Sequence, residues 1–120
     1  PYDVNLQRCY RYFYNWISEH NYQNICVGSA ISTLNARGIF QLPIKMRTAP
    51  SVSANGNFRI VDMGTDVQKT GTGSMVSIAR SSSHIVYMNF VTNGSLTKGD
   101  NCEMGANNDV DAEILFDAEL

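Results

Sequence analysis

The stretch Phe40-Gln41-Leu42-Pro43-Ile44-Lys45-Met46-Arg47 decides how the chain is read. Phe40, Leu42, Ile44 and Met46 alternate strictly with Gln41, Pro43, Lys45 and Arg47. Successive side chains on a strand point to opposite faces, so one face here is apolar and the other wet. That is the pattern of a half-buried strand over residues 40–47. Pro43 cannot donate to a ladder, which places the strand at an edge or turns that position away from a neighbour. Pro50 then ends it, since the residue before a proline is pushed out of the helical region.

Working outward, residues 7–16 carry Tyr10, Tyr12, Tyr14 and Trp16 on one parity and read as the first strand. A polar and aromatic loop follows at 15–24, a strand at 25–33 and a turn at 34–38. Beyond Pro50, residues 52–54 are extended, and Asn55-Gly56 is a strong hairpin signal leading to a returning strand at 58–62. The Thr/Gly-rich run 64–73 reads as a turn. Residues 74–79 form a strand, and 84–91 are apolar on both parities, as in a strand covered on both faces. Residues 92–108 are the longest stretch without periodicity, and such connections beyond about 12 to 15 residues usually carry function or disorder. The final strand, 110–118, has Leu115 on an otherwise acidic face, which asks for a partner surface. Seven or eight strands at this spacing, with no convincing helical period, predict an all-β fold: an antiparallel β-sandwich, jelly-roll-like in topology.

A length of 120 residues fits one domain over residues 1–120. The sequence opens on Pro1-Tyr2-Asp3 without an initiating Met, and the expectation is a C-terminal piece of a longer protein. Only 17% of residues are charged, so Ser, Thr, Asn and Gly must make the surface. A net charge of −2 and a pI near 5.5 lack the basic footprint of a nucleic-acid binder. No apolar run approaches the roughly 18 residues of a membrane helix, and no membrane insertion is expected. Cys9, Cys26 and Cys102 are an odd, scattered set that reads as reduced packing residues, with a Cys9–Cys26 bridge the lesser alternative.

No catalytic motif is present, and the expectation is a protein that is not an enzyme. Ser83-His84 are neighbours on a strand and point apart, so they make no dyad. Asp111 and Glu113 share a face but suit a solvated edge better than a glycosidase pair. His20 and His84 have no metal-like spacing to each other or to a cysteine, so no zinc is expected. Asp100, Asn101, Glu103, Asn107, Asn108, Asp109 and Asp111 are oxygen donors that suit calcium, though their spacing fits no EF-hand and turns have the same composition. The expectation is therefore no cofactor and no metal site, with calcium as the lesser alternative. Two loops remain as carriers of recognition. Trp16 and Tyr22 supply ring faces for sugar C–H groups, with His20 and Asn21 to hold hydroxyls, and Asn93, Asp100 and Asn101 supply further polar contacts. The opposing reading of the aromatics is core or subunit interface.

Two segments together carry a resemblance. Gln7-Arg8-Cys9-Tyr10-Arg11-Tyr12-Phe13, with the run from Phe40 through Met46-Arg47-Thr48-Ala49-Pro50-Ser51-Val52, resembles the terminal module of bacteriophage tail fibre and tailspike proteins. The closing Phe116-Asp117-Ala118-Glu119-Leu120 is similar to that family's last strand. Cys9 follows Gln7-Arg8 here, where the family places it before, and 92–108 is an insert. The resemblance implies a tumour-necrosis-factor-like jelly roll, a homotrimer at the tip of a virion fibre, and a receptor-binding role toward bacterial surface polysaccharide. The alternative it leaves is a structural trimerisation cap without a ligand. Its motifs are structural and transfer no binding residue.

Overall fold

The computed structural model describes residues 2–118. Among them, one helix, α1 (Tyr2–Tyr10), precedes ten strands: β1 (Phe13–Ile17), β2 (Asn24–Ala30), β3 (Asn35–Gln41), β4 (Ser51–Asn55), β5 (Asn57–Asp62), β6 (Val67–Thr72), β7 (Val76–Ser81), β8 (Ile85–Val91), β9 (Asn101–Ala106) and β10 (Glu113–Asp117). Every pairing is antiparallel. Three strands form one sheet in the order β1-β10-β4, and seven form the other in the order β6-β5-β9-β2-β3-β8-β7. The expected antiparallel sandwich is the fold, with more and shorter strands than pattern alone suggests. Pro1, Glu119 and Leu120, which belong to the expected N-terminal opening and the family-like ending, lie outside the described residues.

The large sheet is strongly curved. Laid flat, six strand gaps would hold its edges about 29 Å apart. Yet the edge strands β6 and β7 are joined by a three-residue 3₁₀ turn, Gly73–Met75, whose reach is at most about 14 Å. The sheet must curl until those edges approach, and β4 lies beside β7 and the turn. The approach is close: a Cβ on Gly73 would stand 2.0 Å from the Ala54 carbonyl oxygen.

Between the sheets lies a core of Phe58, Ile60, Val86, Met88, Phe90, Met104, Ile114 and Phe116, all fully buried. Each such side chain contributes about 1.5–3 kcal/mol. Phe40 of the large sheet stacks on Phe116 of the small one at 5.3 Å, with Tyr14 beside both. Cys26 and Cys102 are buried and unbridged, and Cys9 is exposed and also free. Burial pushes the Cys26 thiol up to about 12.

Several expected elements fall elsewhere. Residues 7–16 are not one strand: the helix runs to Tyr10, with Leu6 and Tyr10 half-buried four residues apart while Val4, Asn5, Arg8 and Cys9 are exposed. Tyr10, at the helix end, packs edge-on against Tyr14 of β1 at 5.3 Å, a local contact across the junction where aromatic density suggests one continuous strand. The expected turn at 34–38 is the start of β3, and the chain bends at 31–34 instead.

The stretch 40–47 has the parity expected of it but not the ladder. Leu42 and Met46 are buried and Gln41, Pro43, Lys45 and Arg47 exposed, yet β3 ends at Gln41. Isolated bonds hold the rest: Leu42 N–H donates to the His84 carbonyl at 2.9 Å, and Arg47 N–H to the Arg11 carbonyl at 2.8 Å. The Arg47 guanidinium also donates to the Ala118 carbonyl at 3.1 Å, pinning the end of β10.

Asn55-Gly56 makes no hairpin. Gly56, at φ +110°, carries the chain from the small sheet to the large one, and β5 pairs with β6 and β9. The run 64–73 is mostly β6, and the turn before it is at 63–66. β8 is covered on one face only, and 92–108 contains β9.

Candidate functional site

The outward, convex face of the large sheet is organised by strand register. Across it run Val61, Glu103 and Val27 on β5, β9 and β2, followed by Ile39, Tyr87 and Arg80 on β3, β8 and β7. The adjoining row is polar: Asn101, Ser29, Arg37, Asn89 and Ser77. Ile39 and Val27 are 64% and 57% exposed, large fractions for β-branched residues in the middle of a sheet. In the polar row the Asn35 amide donates to Asn89 Oδ1 at 2.9 Å, Arg37 Nε donates to the same oxygen at 3.3 Å, and the Asn89 amide donates to Ser77 Oγ at 3.2 Å. These bonds fix side chains that an isolated surface Asn would leave mobile.

Where the rows meet, Gly28 and Gly38 stand opposite one another and bring two backbones close; a Cβ on Gly28 would lie 1.8 Å from the Arg37 carbonyl oxygen. On the outer side of this close approach lies a depression of about 220 Å³ lined by Val27, Ser29, Arg37, Ile39 and Tyr87. The guanidinium carbons of Arg37 and Arg80 lie 5.7 and 5.5 Å from the centroid of the Tyr87 ring. A β-bulge between Ile78 and Arg80 puts Arg80, where plain alternation would put Ala79, opposite Tyr87. Bulges of this kind re-aim a side chain.

The residues expected to form a site do not come together. Trp16 is 7% exposed, opposite Ile114 in the core, so its ring offers no face to a ligand; the alternative core reading of the aromatics holds for Trp16. His20, Asn21 and Tyr22 are exposed on the turn before β2. There the Asn21 carbonyl accepts from Asp109 N–H at 3.0 Å, and Arg59 covers one side of the Tyr22 ring at 5.0 Å. Asp100 and Asn101 are at the far end of β2 and β9, about 20 Å along the strands from that turn. Asn93 lines a separate hydroxyl-rich depression of about 510 Å³ with Thr70, Thr72 and Ser74. The oxygen donors considered for calcium are likewise split, Asp100 and Asn101 at one end of β9 and Asn107 to Asp111 at the other. Among the described residues, no three His, Cys, Asp or Glu side chains gather as a metal-holding group.

At the Asp100 end, a carboxyl pair ties two turns. Asp62, fully buried at the end of β5, accepts N–H bonds from Gly64 at 3.0 Å, Thr65 at 3.4 Å and Thr97 at 2.9 Å. Burial works to raise its carboxyl, but the Thr97 N–H, the Asp100 side chain and the Gly64 and Thr65 N–H groups outweigh it and hold it below the usual range. Asp100 is raised, first by its hydrogen bond to Asp62, then by burial and the Asp62 charge. The pair therefore binds a proton more tightly at Asp100 than at Asp62. Every contact of the pair fastens turns, and Gly64 leaves the space for it, since a Cβ there would be 2.2 Å from Asp100 Oδ2.

Compared with known proteins, the chain matches no family model, no curated protein and no solved structure. A functional reading therefore stands on this chain's own residues. Arg37, Tyr87 and Arg80 escape sequence reasoning because 34–38 reads as a turn and 84–91 as a strand covered on both sides. The available signal is Asn89, a polar residue on the same parity as Tyr87 within an apolar run.

Proposed function

We propose that this chain is a binding module, the receptor-binding domain at the tip of a bacteriophage tail fibre or tailspike, and that it recognises bacterial surface polysaccharide through the convex face of its seven-stranded sheet. The observation that carries the reading is the depression over Gly28 and Gly38, open to solvent, walled by Val27 and Ile39 and bordered by the hydrogen-bonded row of Arg37, Asn89 and Asn35. Aliphatic walls suit sugar C–H surfaces, and fixed amides suit hydroxyls. A shallow site on a rigid sheet binds without closing over its ligand, as an extended polysaccharide requires. The resemblance of residues 7–13 and 40–52 to fibre-end modules supports the location on a virion. The buried, donor-saturated Asp62 fits a turn-fixing role better than a catalytic one.

A second reading, a trimerisation cap without a ligand, is favoured by the outward face of the small sheet, where Phe13 and Ile17 are 44% and 51% exposed around half-buried Leu115. The two readings assign different faces and separate on a bacterial glycan array. Saturable binding by the 120-residue chain, lost in Ile39→Asp, is the expected result. No binding to any glycan leaves the cap as the function.

A further inference from the structure

We infer that the site around Tyr87 is built for an acidic sugar, one carrying a carboxylate or phosphate on its ring, with Arg37 and Arg80 as the paired cations that recognise it. The inference rests on the binding-module reading and names the ligand class of the same face. Its ground is a local charge arrangement at odds with the whole chain, whose net charge is −2.

Two guanidiniums lie within reach of one ring, at 5.7 and 5.5 Å from its centroid. Among the described residues no carboxylate stands within ion-pair distance of either. The acidic residue on that row, Glu103, is three strands from Tyr87, about 14 Å. The two flank Tyr87 from the strands on either side of β8, Arg37 lining the depression over Gly28 and Gly38 and Arg80 a second one, also about 220 Å³, with Ile39, Ser81 and Ile85, so an acidic chain lying across Tyr87 meets a guanidinium on each side.

The positions are also constructed. Arg37 is held from one side by its bond to Asn89 Oδ1, leaving the terminal N–H groups of the fork for a ligand. Arg80 reaches the outer face because the bulge before it shifts the register by one residue. Beside the cations, the Val27 and Ile39 side chains and the Gly28 and Gly38 backbone give a pyranose ring a flat apolar seat. A free inorganic anion would use the arginines and leave that seat idle, so a charged sugar fits the whole surface.

The test is an amide chemical-shift titration of the 120-residue chain with trigalacturonic acid, glucose 6-phosphate and the trigalacturonic acid reduced to its neutral alcohol. At least one acidic probe should shift residues 27–29, 37–39 and 85–87 saturably, while the neutral trisaccharide leaves them unmoved. R37Q/R80Q should weaken acidic binding about tenfold or more, the worth of one lost charge-assisted hydrogen bond. Should the double variant fold poorly, R80Q alone, whose side chain is exposed, should still weaken it. Equal binding by parent and variants, shifts confined to other surfaces, or no saturable shift with either acidic probe overturns the inference. Array binding of neutral glycans that R37Q/R80Q retains removes the acidic ligand and leaves the binding-module reading standing; an array silent for every glycan removes that reading itself.

Discussion

At Asp62 and Asp100, one residue's ionisation sets another's. Asp100 is raised in the folded chain, so the native protein keeps a proton that the unfolded chain gives up above its ordinary value of 3.8. That contribution is fully present below 3.8 and is lost as pH rises through the raised native value. Asp62 runs the opposite way: its lowered carboxyl contributes above 3.8 and ceases to as pH falls through its native value. Asp100→Asn keeps a donor toward Asp62 at every pH and removes the proton that must leave. Urea unfolding at pH 4 and pH 7 should therefore show the variant gaining on the parent as pH rises. An identical pH profile for both would mean that Asp62 does not raise the Asp100 carboxyl. Residue identity alone conceals this pair, since Asp62 and Asp100 stand far apart in sequence and meet through the pairing of β5 with β9.

At the scale of elements, residues 40–47 separate what alternation encodes from what it does not. Burial parity follows from an extended backbone passing over a core, whether or not the ladder continues. Leu42→Ala removes a fully buried side chain and should cost about 2–5 kcal/mol. Lys45→Ala should change stability by no more than about 0.5 kcal/mol, both read as shifts in the urea midpoint. Comparable losses would show that the parity is not what holds this segment. The same logic explains what was legible in the sequence and what was not. Alternation in 52–54, 58–62 and 110–118 marks β4, β5 and β10 because each has one face on the core. The Thr/Gly-rich 67–72 is a strand despite its turn-like composition, because as an edge strand it needs only the β5 ladder and little apolar surface. Asn55-Gly56 has hairpin chemistry, but the apolar faces of β4 and β5 lie on different sheets, and core burial outweighs the turn's preference. The site was the least legible part: Arg37, Tyr87 and Arg80 meet through a register containing a bulge, which no single strand's pattern encodes.

At the scale of the whole molecule, the two sheets leave two outward faces with different chemistry. The large sheet's face mixes aliphatic side chains with arginines and a fixed amide row, a surface that remains stable in water and is suited to a polar ligand. The small sheet's face has Phe13, Ile17 and Leu115 gathered over three short strands, with Asp117 and Glu113 at the margins. Apolar surface of that kind gains about 25 cal/mol for each Å² removed from water, which favours a second copy of the same chain over solvent. In the proposed fibre-end module the assembly would be three-fold, with this face toward the axis and the arginine-bearing face outward. Light scattering at micromolar concentration should then give the mass of three 13.3 kDa chains. Phe13→Ser with Ile17→Ser should reduce it to one chain while the circular dichroism of the β-sheets is retained. R37Q/R80Q should leave the three-chain mass unchanged, since those side chains lie on the opposite face. A parent mass of one chain excludes the trimer, and a three-chain mass that survives the Phe13 and Ile17 changes moves the subunit contact to another surface.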